Sequence, residues 1–209
     1  MASTRDSILS RLGPRTDPGP LEAKASSPRA AAPSFEHFCN LAGKTQMTAE
    51  HIRSTADLAV AVARYLQANG LAPEVCGEVF GMGVESWRRA GVSWRPSPVR
   101  TDGDTCVSQC LALIAENGAA VTSSGEAKAI SDEFLAATHI IFATGDQLLG
   151  TMAELWQLLG ERQQNGQDLP REFCLVTGPS RTADLGLPAK LGAHGPARVH
   201  VIYIGESAA

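Results

Sequence analysis

Three short apolar runs in the last third of the chain, two of them flanking a helical stripe, restrict the fold more than any other feature. Residues 139–143 read His-Ile-Ile-Phe-Ala and residues 174–177 read Cys-Leu-Val-Thr. Between them Leu148, Met152, Leu155 and Leu159 recur at helical spacing. A strand, a helix and a strand in this order predict a βαβ unit, hence parallel strands with helices packed on the sheet. Residues 199–204 (Val-His-Val-Ile-Tyr-Ile) add a strand with too little polarity for a solvated face, as expected of a strand buried on both sides. The class is α/β: a single domain with a mostly parallel sheet flanked by helices.

Upstream, Phe35, Phe38 and Leu41 suit a short helix. Ser54 caps a second, with Asp57 in its first turn and a stripe of Leu58, Val62, Tyr65 and Leu66 that ends at Asn69-Gly70. A strand is expected within 74–80 and a brief helix at 86–89 before Gly91. Segments 105–114 and 119–122 read as two strands joined by the tight turn Glu116-Asn117-Gly118. Residues 1–33 differ from the rest. Five prolines (Pro14, Pro18, Pro20, Pro28, Pro33) sit there among Ala, Ser and Gly, the composition of a flexible arm. Within it Ile8, Leu9 and Leu12 allow a short helix at 4–12, either a frayed end or an anchor for a partner or for the domain's own surface. The domain proper is expected over 34–209.

With 209 residues and 44% of them hydrophobic, the chain can bury a core. Its 18 basic and 22 acidic side chains leave a net charge of −4, which argues against nucleic acid, because phosphate neutralisation needs a basic surface. The five cysteines form no CxxC and mostly adjoin apolar residues, so reduced thiols in a cytoplasmic setting are expected. No apolar run approaches the ~20 residues of a membrane-spanning helix. The five histidines show no HExxH spacing, and no metal site is expected. No GxGxxG opens a βαβ unit, so no dinucleotide site is legible.

Two loops carry candidate chemistry. Residues 177–184 follow an expected parallel strand, at the end of a sheet where ligands collect. Gly178 lets the backbone approach a ligand, Ser180 and Thr182 offer hydroxyls, and Arg181 offers a planar fork for a carboxylate or phosphate. The alternative is a turn held by an Arg181–Asp184 pair. His194 lies in a second small-residue loop, 192–196. Glu116, at a strand end, is either a base or nucleophile or a solvated turn residue. Ser124 lies in a Ser-Ser-Gly run able to cradle an anion.

The run 177–184 (Thr-Gly-Pro-Ser-Arg-Thr-Ala-Asp), with Leu-Gly-Ala-His-Gly-Pro at 191–196 and Ala-Glu-Asn-Gly at 115–118, resembles the signature of the lactate-utilisation (LUD) domain family. Its LutC/YkgG-type group is the nearest match. The resemblance implies a fold similar to the NagB/RpiA/CoA-transferase group. It also implies a subunit of an iron–sulfur-dependent complex oxidising L-lactate to pyruvate alongside LutA-like and LutB-like partners, with the cofactors on those partners and none in this chain. Ligand-binding roles for Gly178, Ser180, Arg181, Thr182, Asp184, His194 and Ser124 toward a small carboxylate or phosphate go with it. The Glu-Asn-Gly turn is similar to that of CoA transferases, whose glutamate is the nucleophile, which would make Glu116 catalytic in an independent enzyme or small-molecule binder. Where the family pattern has Glu-Thr-Gly-Thr, this chain has Glu116-Asn117-Gly118-Ala119, and Leu185-Gly186 replaces the usual Ile-Glu.

Overall fold

Helix α1 (Phe35–Lys44) opens the domain, its first turn capped by Ser34, whose hydroxyl accepts from the His37 N–H. The computed structural model describes residues 33–77, 83–101, 103–125, 130–182 and 190–205. The helix expected at 4–12 and the rest of the arm to residue 32 lie outside them. After α1 come β1 (Thr48–Ile52), α2 (Leu58–Ala68), β2 (Glu74–Gly77), α3 (Gly83–Arg89), β3 (Ser93–Arg95) and β4 (Thr105–Gln109). Next are β5 (Ala112–Ile114), β6 (Ala119–Ser123), α4 (Ser131–Leu135), β7 (Thr138–Thr144), β8 (Leu148–Leu149) and α5 (Met152–Gln164). The chain closes with β9 (Phe173–Val176), the two-residue strands β10 (Arg181–Thr182) and β11 (Lys190–Leu191), and β12 (Arg198–Ile204).

Six strands form one sheet in the order β1-β12-β7-β4-β2-β3, every pair parallel. Residue alternation sends Ile140 and Phe142 of β7 to one face, where Leu58, Val62 and Leu66 of α2 and Trp87 of α3 cover them. Ile141 and Ala143 point to the other face, against Phe38 and Ala42 of α1 and Leu113 of β5. This two-sided burial is the α/β arrangement expected from the run at 199–204, now β12, which is buried from its second residue onward.

A second sheet, ordered β8-β5-β6-β9, lies over that other face. Its β5–β6 pair is antiparallel, β8 is parallel to β5, and β9 is antiparallel to β6. Leu155 and Leu159 of α5 bury against Ile114 and Val121 of this sheet. Two expectations are corrected here. Segment 105–114 is not one strand: Cys110 N–H still donates to Phe142 O of β7, at 3.0 Å, whereas Leu111 N–H donates to Val121 O of β6, at 2.7 Å. The backbone changes sheets between those two residues. The strand at 174–177 does not complete a parallel βαβ unit with β7, because β9 joins the other sheet. Helix α5 instead links β8 to β9, two strands of the same direction at opposite edges of the smaller sheet.

The β3–β4 connection is held by a carboxylate. Asp104 accepts from the backbone N–H groups of Arg100 (2.6 Å) and Thr101 (3.2 Å), from the Thr101 hydroxyl (2.8 Å), and from Arg95, which also donates to Glu74 at 2.9 Å. Burial acts to raise the Asp104 carboxyl, but these donors outweigh it and hold it at about 2. A depressed carboxyl stabilises the fold above its unfolded value, ordinarily near 3.8, and that contribution is lost as pH falls toward 2. Asp104→Asn is therefore expected to be less stable than wild type at pH 7, the gap closing between roughly pH 4 and pH 2. Urea midpoints measured across that window check this, and a gap independent of pH would contradict it.

Candidate functional site: two cavities beside the parallel sheet

Parallel strands end on a common edge, and ligands in open α/β sheets sit outside it. Gln109 is the last residue of β4, and Asp146 and Gln147 directly follow β7. They line a cavity of about 450 Å³, together with Ser123 and Ser124 from the end of β6 and Arg162 from the last turn of α5. Leu111 and Leu158 add apolar wall. Gln147 holds this corner together. Its Oε1 accepts from the Thr144 N–H (2.8 Å), the Thr144 hydroxyl (2.9 Å) and Gln109 Nε2 (3.2 Å), and its Nε2 donates to Cys110 O. The turn after β7 is thereby fastened to the point where the chain changes sheets. Ser124 Oγ donates to Glu172 O at 3.2 Å and accepts from the Glu172 N–H at 3.1 Å, tying β6 to the approach of β9. Arg162 is half-buried, and no ion pair among the described residues claims its guanidinium.

A second cavity, about 470 Å³, reaches the start of β7. His139 and the α4 residues Glu133 and Phe134 line one side, Phe173 to Val176 of β9 another, and Gly178, Ser180 and His194 the rim. His139 Nε2 lies 2.7 Å from Ser108 Oγ in the neighbouring strand, both buried.

The structure thus divides the residues singled out in the sequence. Ser124 lines the first cavity and Gly178, Ser180 and His194 the second. Thr182 sits in the short β10–β11 hairpin, paired with Lys190. Asp184 lies outside the described residues, so the expected Arg181–Asp184 pair does too. Arg181 is exposed and donates through Nη2 to Thr45 O at 3.1 Å. Gly178 packs on that same carbonyl. Its φ is +144°, and an added Cβ would fall 2.7 Å from Thr45 O. The loop that carries the motif is thus docked on the α1–β1 turn. Arg181→Ala is expected to lower stability by about 0.5–1.5 kcal/mol, the net worth of one hydrogen bond, with small-anion affinity unchanged. A tenfold loss of affinity at an unchanged thermal midpoint would instead assign Arg181 to a ligand.

Glu116 lines neither cavity. Its Oε1 accepts from the Met152 N–H at 2.8 Å, the first residue of α5, where a negative charge complements the helix dipole. Asn117 Oδ1 accepts from the Ala119 N–H at 3.0 Å and closes the turn. Gly118, at φ +66°, lies against Leu41 and Ala42 of α1. Sequence reasoning missed Arg162, Asp146, Gln109 and Glu133. Arg162 stands in a polar stretch, 161–166, whose pattern equally describes a solvated helix end. Among the described residues no three His, Cys, Asp or Glu side chains form a group able to hold a metal ion, and no helix is long and apolar enough to cross a membrane.

Residues 101–204 match the LUD domain family model. "Lactate utilization protein C" of Geobacillus sp. (strain WCH70) is 29% identical over 93 residues, 44% of this chain and 39% of that protein. "Uncharacterized protein YkgG" of Escherichia coli (strain K12) is 28% identical over 93 residues, 44% of this chain and 40% of that protein. The chain thus spans about two-fifths of the length of these curated relatives. A crystal structure of a DUF162 family protein from Deinococcus radiodurans superposes with a TM-score of 0.60 at 19% identity, covering 82% of this chain and 96% of that one, and so shares its fold. The segment 101–204, which carries the β4, β6, β7 and β9 walls of the two cavities, is the part of the chain that matches the LUD domain family.

Proposed function

We propose that this chain works in lactate utilisation, as a subunit of an iron–sulfur-dependent complex that oxidises L-lactate to pyruvate. Its LutA-like and LutB-like partners carry the clusters, and the first cavity holds the small carboxylate. The names of its relatives support the process. The observation that carries the ligand is the meeting of Arg162, Asp146 and an apolar wall in one cavity outside the ends of β4 and β7. A guanidinium fork suits a carboxylate, a carboxylate acceptor suits a 2-hydroxyl group, and Leu111 and Leu158 suit a methyl group. L-lactate loses two electrons and two protons on becoming pyruvate, and clusters on the partner subunits would supply the electron sink.

The cysteine spacing supports placing the clusters elsewhere, since four closely spaced ligands are missing. Glu116, occupied at the start of α5, is not used in this reading. Calorimetric titration of L-lactate into the full chain, alone and co-purified with its partners, tests the proposal. Saturable binding by both is expected. If only the partners without this chain bind L-lactate, the ligand role falls.

A further inference from the structure

The smaller sheet ends at β9, and the hydrogen bonds behind that strand fix what its outer edge offers. In an antiparallel sheet a residue sends its N–H and C=O to the same neighbour, and successive residues alternate between neighbours. Val121 O of β6 accepts from the Leu111 N–H on the β5 side. Ala120 and Thr122 therefore face β9, where their register partners are Val176 and Cys174. The Ser124 N–H, which donates to Glu172 O at 2.9 Å, keeps the same alternation. Phe173 and Leu175 are left with both backbone groups turned outward. Among the described residues no strand pairs with that edge, and no turn or loop backbone bonds to it. Protein edges are commonly blunted by charge or proline, and Phe-Cys-Leu-Val carries neither. Leu175 is 41% exposed on the face it shares with Phe173, against whose ring Trp156, 50% exposed, packs edge-on at 5.8 Å.

We propose that this edge pairs with β9 of a second copy, antiparallel about a twofold axis at Cys174, so that the smaller sheets of two protomers run on as one. The strand itself argues for its own copy as the occupant. In that register Phe173 of one protomer exchanges both hydrogen bonds with the partner's Leu175, and Leu175 with the partner's Phe173, so every outward group of the two residues is used. On the α5 face Leu175 lies against the partner's Phe173, which takes apolar surface of both from water. Glu172 falls opposite Val176 and Arg171 opposite Thr177, so no charge meets its like. On the other face the two Cys174 residues form a non-hydrogen-bonded pair, with Cα atoms about 4.5 Å apart. That separation lies within the roughly 4.4–6.8 Å that a disulfide spans.

Sedimentation of the full chain, hydrogen exchange and thiol cross-linking together test the proposal. A concentration-dependent dimer is expected. The amides of Cys174 and Val176, bonded to β6, should exchange slowly at every concentration, and those of Phe173 and Leu175 should become slow only as the dimer forms. Diamide, which takes up the two hydrogen atoms that a thiol pair releases, should join protomers of wild type and Cys39→Ser through Cys174, and should leave Cys174→Ser unjoined. Leu175→Lys, a charge at an exposed position of the edge, is expected to weaken the dimer by at least about tenfold. Should that variant fold poorly, the exchange pattern of wild type carries the test alone. A chain that stays monomeric at every concentration overturns the proposal. So does a dimer whose cross-links bypass Cys174, whose Leu175 amide still exchanges fast, or which folded Leu175→Lys leaves unchanged. Slowing of the Leu175 amide only when a different subunit is co-purified gives the edge to that subunit and overturns it too.

Discussion

Gly77→Ala is expected to lower the stability of the fold by about 4–5 kcal/mol, at the extreme of what single substitutions do. Gly77 ends β2 and pairs with Val107 of β4, where the backbones of two parallel strands run side by side. A Cβ on Gly77 would stand 2.1 Å from Val107 O and 3.2 Å from Val107 C. The obstructing atoms are backbone in the interior of the sheet, so no side chain can rotate away. The φ of +138° adds a conformation that alanine adopts only under strain, at roughly 1–3 kcal/mol. Relief requires β2 to move off β4, which opens the ladder beside Cys76 and Cys106 and loosens Val75 and Trp87 in the core. Since small domains keep only about 5–15 kcal/mol in total, much of this protein's margin is at stake. Urea unfolding should show a large fall in midpoint with an unchanged slope. A loss under about 1 kcal/mol would mean that the two strands separate there at little cost.

The second large effect concerns ligand affinity. Arg162→Gln is expected to weaken L-lactate binding by about ten- to a hundredfold, from the loss of ~1.5–3 kcal/mol of charge-assisted hydrogen bonding. Arg162→Lys keeps the charge and loses the fork, so its affinity should fall between wild type and Arg162→Gln. The thermal midpoint should hardly move, because the guanidinium is in no ion pair among the described residues and sits at the last turn of a surface helix. Asp146→Asn sharpens the reading. It keeps an acceptor and removes the charge, so a 2-hydroxy acid should lose little affinity there. Equal affinity for L-lactate in wild type and Arg162→Gln would remove the carboxylate from this cavity.

These two residues were unequally legible in the sequence. Gly77 lies in a segment whose apolar pattern predicts a strand, and glycine inside a strand signals a close approach of backbone. What approaches it, Val107 O, is thirty residues away and is set by strand order. Arg162 gave no signal, because a charged residue near a helix end reads identically whether water or a cavity lies in front of it. Only the packing of Leu155 and Leu159 on the smaller sheet turns that flank of α5 toward the ends of β4 and β6.

The elements written by local chemistry are those the sequence determined by itself. Apolar residues at helical spacing produce α1 behind its Ser34 cap and α2 behind the 3-10 turn Thr55–Asp57, which Ser54 caps in place of the helix itself, and apolar runs produce β7 and β12, because capping and periodicity act within a dozen residues. The class of the domain follows from those runs, and the motif at 177–184 carried the family. Partner choice between strands was decided only in three dimensions. β1, with the unremarkable sequence Thr-Ala-Glu-His-Ile, is a strand because β12 offers it an open edge. β9 has the composition of a parallel-sheet strand, yet it pairs antiparallel with β6. The chain leaves the main sheet between Cys110 and Leu111, where hydrogen bonds to β7 give way to bonds to β6. Ladder hydrogen bonds are nearly indifferent to side-chain identity, so a strand's composition records how deeply it is buried and not which neighbour it joins. That choice, made by the packing of the two larger sheets and the helices on them, is also what formed the two cavities and placed Arg162 and Asp146 together in the first.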